Sequence, residues 1–434
     1  MKASLTGVLN NRDFLKFWIG QTVSIFGSGV TFIALPLTAM YSLHASAMQM
    51  GFLRAAGEVP YLIMSLFIGV MVDRVRRKTL MVAVDLGRAV LIGIIPALTL
   101  LHLLHIYDLY IAAIAVGGLS VMFDTANQAY LPTLTGREEL QKANSAIQFT
   151  FSLGQISGPA VAGLLVSLLT APVTLLIDTV SYLVSALSLI SIKKREPFIE
   201  VSPVAERKIL RDISQGLKIL FGHSVIRPLT LAMGGISMFF SAFLSVYFLY
   251  LGRDIGLTAS DMGLVLAIGA VGATIGAIVT GRSGGKLPPG MAVIIGESFF
   301  AVGAWLVPLA GGTRWMEVVT VTVAALVAFF GGTSVFIVST TMLQKATPDY
   351  LLGRVSAASK TFLIGLNPIG AVIGGVVGSG WGLRPTLIIG ASGITIMVLW
   401  LLLSPVRSTS EKQLVDQALA LSDFPDCGFD TPQF

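Results

Sequence analysis

Charge and cysteine are what this chain lacks most. Only 12% of its 434 residues are Asp, Glu, Lys or Arg, against about 25% in soluble domains, too few to cover a water-facing surface. Its single cysteine, Cys427, lies in a polar tail, so there is no disulfide framework and the redox compartment cannot be read. The histidines at 44, 102, 105 and 223 are scattered, and there is no clustered His/Cys/Asp constellation. That argues against a metal centre, a resident cofactor, or an enzyme acting on lipid-linked substrates. The segment TGRSGGKLPPG (Thr280–Gly290) fails as a phosphate loop, because Thr280 stands at the first Gly position and Leu287 follows Lys286. No nucleotide-driven pump is encoded.

What is abundant is apolar: 54% of the residues, in runs of about 20 that match a ~30 Å hydrocarbon core. The first run, 14–41, is too long for a signal-peptide h-region. Breaks at charged, Pro and Gly-rich points predict twelve spans: 14–41, 50–72, 79–103, 108–131, 143–168, 171–192, 227–251, 261–281, 289–310, 316–342, 355–380 and 383–404. The expected fold class is therefore an all-α polytopic membrane protein of twelve transmembrane helices. Lys and Arg collect in alternate loops, leaving only Arg253, Arg314 and Arg384 on the other side. By the positive-inside rule both termini are cytoplasmic, and the net charge of +6 reports topology rather than nucleic-acid binding.

The chain repeats itself at an offset of 211 residues. ANSAIQFTFSLGQISGPAVAG (Ala143–Gly163) aligns with RVSAASKTFLIGLNPIGAVIG (Arg354–Gly374), placing Phe151 on Phe362 and Pro159–Gly163 on Gly370–Gly374. Half-length similarity between equivalent spans implies two pseudo-symmetric six-helix bundles, a secondary-transporter pattern with its site between the halves. The expected division is 1–192, a linker 193–226, 227–405, and a tail 406–434. Within the linker, Ile209, Ile213, Leu217 and Leu220 recur at helical spacing among basic residues. This fits an amphipathic helix on the membrane surface, or a plain tether.

Charges inside spans need a reason, at about 2.5–3.5 kcal/mol each on insertion scales. Arg54 and Glu58 are four apart on one helical face and able to neutralise each other. Asp85 and Arg88 are three apart near the inner end of the third span, where they would support the neighbouring loop. Asp124 is followed by Asn127 and Gln128; Asp178 and Glu297 have no base nearby in sequence, and Lys360 is placed to snorkel or pair with an acid. Gln21, Ser24, Ser28 and Thr31 recur at helical spacing on the first span, and Phe243 and Tyr247 lie on the seventh. Such a lining suits an amphipathic organic substrate better than an inorganic ion, although a packing stripe has the same pattern.

FLKFWIGQTVSIFGSGVTFIALPL, GVMVDRVRRK, LPTLTGREELQKANS, GPAVAG and LLGRVSAASKTFLIGLNPIGA together resemble the major facilitator superfamily, in particular its macrolide-efflux and enterobactin-exporter-like branch, over about residues 10–405. The resemblance implies a proton-coupled exporter of amphipathic small molecules (an antibiotic, siderophore or secondary metabolite) in the bacterial inner membrane. It would work as a monomer among lipid by alternating access; the alternative is a nutrient importer of the same fold, or a non-transporting sensor or enzyme. It makes Gly69, Asp73, Arg74, Arg77 and Lys78 a conformational gate whose partner is the start of the eleventh span, at Gly353 and Arg354. Glycine at 69 permits close helix approach, and an acid at 73 suits the positive end of a facing helix, at about 0.3–1 kcal/mol. The bases alone would also fit a topological charge cluster. Gly154, Gly158, Pro159 and Gly163 match the exporter-associated motif, with Ala162 replacing a glycine.

The resemblance also implies that spans one, four, seven and ten line the cavity. Gln21, Ser28, Asn127, Phe243 and Tyr247 are then cavity candidates, and Glu58 and Asp124 the proton-coupling candidates. The arginine common on the fourth span of drug–proton antiporters is missing from 110–131. If the gate operates, Asp73→Asn weakens the state closed at the cytoplasmic side while substrate affinity stays the same. A transport rate and conformational balance equal to wild type would reduce the patch to a charge marker.

Overall fold

A computed structural model of the chain describes residues 11–64, 68–73, 75–136, 139–194, 196, 218, 220–222, 225–283, 287–410 and 412–414. Thirteen helices carry the membrane domain: α1 Arg12–Ser42, α2 Ala47–Met64, α3 Ile68–Asp73, α4 Arg77–Leu100, α5 Ile106–Thr135, α6 Leu140–Leu169, α7 Ala171–Ile190, α8 Ile226–Leu249, α9 Ala259–Arg282, α10 Pro289–Leu309, α11 Arg314–Lys345, α12 Asp349–Trp381 and α13 Leu383–Leu403. Among the described residues, ten helical stretches are long and apolar enough to cross a membrane. The second span position is taken by α2, with Arg54 and Glu58, and α3; the fifth is taken by α6. The result is a twelve-span, all-α fold.

Local signals set the helix ends. The Asn11 side chain accepts from the Asp13 and Phe14 amides to start α1, and Thr258 and Asp261 form a capping box at α9. Gly382, at φ 97°, turns the chain from α12 into α13, a conformation that other residues rarely adopt.

The two halves are built alike. In the first, α1 packs on α6 and α7, α4 on α5 and α7, and α2 on α5. In the second, α8 packs on α12 and α13, α10 on α11 and α13, and α9 on α11, so every pairing recurs. The bundles meet along two further seams, α2 against α12 and α6 against α9. These seams are exchanged by the same pseudo-two-fold relation.

Each seam has a glycine-to-glycine crossing. A Cβ on Gly163 would lie 2.1 Å from the Gly263 Cα, and one on Gly51 would lie 2.7 Å from the Gly375 Cα. Without a hydrophobic drive between helices in lipid, such backbone contact and polar bonds supply the cohesion. Both crossings lie toward one end of the bundle, called here the far end, opposite the basic loops. There the Arg253 Nη2 donates to the Ala45 carbonyl (2.8 Å) and the Tyr41 hydroxyl to the Leu257 carbonyl (3.3 Å), again from one half to the other. The far end is closed.

The amphipathic segment of the linker lies mostly outside the described residues, as do Arg74 and the tail from 415. The side chains of Asp73, Pro159 and Arg354 and the surroundings of Gly69 and Gly353 are likewise not described.

Replacing Gly163 by leucine forces the α6–α9 seam apart. Overpacking costs about 1–3 kcal/mol, which corresponds to a roughly fivefold to hundredfold shift toward the far-open state. Ala45, 1% exposed at the far end where Arg253 of the other half meets its carbonyl, reports the opening when replaced by cysteine in a Cys427→Ser background. Its labelling rate should rise by that factor, and an unchanged rate would refute the account.

Candidate transport site

Two polar groups lie at the boundary between the halves. The first is built on α2. Arg54 and Glu58 are one helical turn apart and form an ion pair, Nη2 to Oε1 at 2.9 Å, with both side chains about one-fifth exposed. Arg54 also donates through Nε to the Ser241 hydroxyl on α8, 3.2 Å away in the other half. Asn367 of α12 lies beside the Glu58 carboxylate and accepts from the Ser237 hydroxyl of α8 at 2.5 Å. The second carboxylate oxygen, Glu58 Oε2, is buried and without a hydrogen-bond partner. Glu58 is eleven residues into α2, roughly 16 Å from the far-end tip at 1.5 Å per residue, close to the centre of a ~30 Å core. A partly buried ion pair thus ties the first half to α8 of the second and lies beside α12.

The second group lies nearer the basic end. Asp124 is exposed on α5 and takes a long hydrogen bond, 3.5 Å, from the Tyr61 hydroxyl. Lys360 of α12, also exposed, lies within its electrostatic field from the opposite half. Asn127, one turn on, has its Oδ1 buried and unpaired. Glu58 and Asp124 therefore both face the boundary, on different levels.

Other residues singled out by sequence occupy the interiors of the halves. Gln21 is buried and its Nε2 faces the Ser185 hydroxyl at 3.5 Å. Ser28 is exposed yet lies 3.1 Å from the Tyr182 hydroxyl. Phe243 and Tyr247 are buried and stacked at 5.7 Å. Of the exporter motif, Gly154 packs on Ile25 and Gly158 on Gly29, both of α1, whereas Gly163 crosses to α9 of the other half.

A buried network holds the first half together. Arg88 pairs with Asp85 at 3.0 Å and lies over the rings of Phe123 (4.4 Å) and Tyr182 (4.8 Å), joining α4, α5 and α7. Asp178, fully buried on α7, accepts from Thr31 of α1 (2.5 Å) and Ser181 (2.8 Å), with Arg88 as the nearby cation. So the base missing near Asp178 in sequence arrives from another helix, and Asp85 and Arg88 serve this core rather than the loop. Glu297 of α10 is different: it is buried at 3% exposure, its Oε2 has no partner, and no cation faces it among the described residues.

At the basic end, Arg77 donates to the Ala129 carbonyl (3.1 Å) and lies 3.8 Å from Glu196. The Lys78 ammonium donates to the carbonyls of Ile190 (3.2 Å) and Ile192 (2.6 Å), and its amide to Glu196 at 3.3 Å. Bases at a helix N-terminus oppose its dipole. Glu196, which sequence reasoning missed, supplies the compensating negative charge.

This geometry of two repeated bundles, a closed end and a polar boundary is matched by the sequence profile of the Major Facilitator Superfamily over residues 17–366. The chain belongs to that superfamily. It is a transporter and a multi-pass membrane protein, not an enzyme. The enterobactin exporter EntS of Shigella dysenteriae serotype 1 (strain Sd197) is 25% identical over 405 residues, covering 90% of each chain. A bacterial homologue of the iron transporter ferroportin, in its inward-facing state, superposes with a TM-score of 0.71 at 14% identity, over 90% of this chain and 98% of that one. The outward-facing state of such a homologue, with soaked iron, superposes at 0.58 with 15% identity and the same coverage.

Replacing Arg88 by methionine leaves Asp85 buried and unpaired, a loss of about 3–5 kcal/mol. Thermal melting in detergent should show a large drop, partly recovered when Asp85→Asn is added. Equal melting of wild type and Arg88→Met would remove this network as the source of cohesion.

Proposed function

We propose that this transporter exports amphipathic small molecules by proton antiport, with Glu58 as the principal proton site. The observation that carries the reading is the Arg54–Glu58 pair, which holds its second oxygen free while bonded to Ser241 of α8 and lying beside Asn367 of α12. Protonation of Glu58 removes the counter-charge of Arg54 and loosens the tie between the halves, so proton occupancy and half–half movement are linked. Asp124, exposed at the same boundary, is the second acid in this scheme, with Ser28 and Asn127 as polar contacts for substrate. Gln21, Phe243 and Tyr247 pack within the halves and support the lining from behind.

In this reading the basic end is cytoplasmic, in the bacterial inner membrane, and residues 1–192 and 227–405 rock about the 193–226 linker. The closed far end then makes the present state inward-facing. The better superposition on the inward-facing ferroportin homologue accords with this. Closing the basic end would engage Gly69 and Asp73 with Gly353 and Arg354, while Arg77 and Lys78 brace the loop. Direction is supported by the exporter motif at Gly154, Gly158, Pro159 and Gly163, and by the relative named as an enterobactin exporter. Each proton entering down 100 mV supplies about 2.3 kcal/mol, enough for a roughly fiftyfold gradient.

The reading is tested in proteoliposomes with an imposed pH gradient and a panel holding a macrolide, a catecholate siderophore and an amphipathic cationic dye. At least one compound should drive proton flux in wild type. Glu58→Gln should lower coupled transport at least a hundredfold while eluting as a folded species. Full coupling in Glu58→Gln would remove Glu58 from the mechanism.

A further inference from the structure

We infer that Glu297 is a proton-binding site of the second half, where a bound proton does what the Arg88 guanidinium does in the first. The inference is independent of Glu58 and of the direction of transport.

Helices α4 and α10 hold equivalent places, α4 packed on α5 and α7, and α10 on α11 and α13. Each carries an acid eight residues in, Asp85 on α4 and Glu297 on α10. The two are 212 residues apart, within one residue of the offset at which the chain repeats itself. Both are buried, at 0% and 3% exposure. Three residues on, the first half has Arg88, which pairs with Asp85 at 3.0 Å. The second half has Phe300 there, edge-on to Phe240 of α8 with ring centroids 5.1 Å apart. The acid recurs and the cation does not.

The surrounding helices supply no substitute for that cation among the described residues. Glu297 is the only ionisable side chain of α10, and its Oε2 is buried without a partner. On α11 the charged residues are Arg314, Glu317 and Lys345. All lie at least about 21 Å along the axis from Gly331, which crosses α10 at Gly296, next to Glu297. On α13 the charge is Arg384, whose Nε donates to the Pro308 carbonyl at the far end (2.7 Å). The turn Pro405–Ser408 brings the exposed Arg407 to the start of α10, where Val406 meets Gly290, about 10 Å along the helix from Glu297. Arg227 and Tyr247 of α8 are thirteen and seven residues from Phe240.

A carboxylate only accepts, so it needs donors or a cation. An isolated charge in an apolar interior is neutralised rather than kept. At Gly296 and Gly331 the two helices touch backbone to backbone, which leaves no room for water at the crossing. A proton therefore completes the site, and ionising Glu297 would require α10 and α11 to part. In the unfolded chain the same glutamate is ionised above about pH 4.3. The folded chain then binds one proton more, so its stability falls as pH rises from there to the pH at which folded Glu297 ionises.

Infrared difference spectra of the purified protein in a maltoside detergent, wild type minus Glu297→Gln, read this protonation state without any substrate. At pH 7 the difference should hold a carboxylic-acid carbonyl band and no carboxylate bands. Carboxylate bands in its place would overturn the inference. Phe300→Arg puts a cation where the first half has Arg88, and its spectrum is measured against Phe300→Arg with Glu297→Gln. The acid band should be lost and carboxylate bands should replace it; an acid band that persists in the folded variant would equally overturn the inference. Glu297→Met, apolar and of similar size, decides the matter if the other variants do not fold. Its melting temperature should exceed that of wild type by a margin that widens from pH 6 to pH 9. A margin that does not change with pH would leave Glu297 without its proton.

Discussion

In hydrocarbon every peptide group must find its partner within the chain, so each span closes its own backbone hydrogen bonds and behaves as a rod. Rods that pack tightly within a bundle leave little freedom inside it. Motion is then confined to the surfaces between bundles, here the α2–α12 and α6–α9 seams. The rest of the structure depends on what is placed at those seams. Glycine crossings make them close enough to seal, and polar groups make the seal responsive to charge.

The distribution of charge follows this division. Arg88, Asp85 and Asp178 are buried within the first half, on helices that stay together, and their partners are aromatic rings and hydroxyls that do not move apart. Arg54 and Glu58 belong to the same half, but Arg54 bonds to Ser241 and Glu58 lies beside Asn367 in the other. A charge inside a bundle stabilises that bundle; a charge on a seam favours one arrangement of the two. The second bundle has no counterpart of the Arg88 cluster in the corresponding place, where Glu297 is buried without a facing cation among the described residues. The halves are alike in packing and unlike in electrostatics.

The spans and the duplication were legible in the sequence because both are written in hydrophobic runs and in similarity along the chain. The pairing of Arg54 with Glu58 was legible for the same reason, being local at four residues' spacing. Partners from distant helices were not. Ser241 is 187 residues from Arg54, and Ser237 is 130 from Asn367. Serine and asparagine in apolar runs carry no signal of which neighbour they meet. Arg88 over Phe123 and Tyr182 was hidden likewise, since any aromatic on a facing helix looks the same in sequence. Glu196 was missed because it lies in what reads as a linker, yet it sits at the N-terminus of α4.

The exporter motif illustrates how one short stretch can act on two surfaces. Gly154 and Gly158 let α6 lie close on α1 within its own half, and Gly163, a little over one turn on, lets it cross α9 of the other. Helix α6 is therefore fixed by one part of the motif and closes the far end with the next. The related crossing, Gly51 on Gly375, stands beside the α2 helix that carries Glu58. Both seams must part together if the bundles move as rigid bodies. Under the proposed coupling, a proton on Glu58 that loosens α2 from the second half would act also on α6 and α9, without any bond joining the two seams.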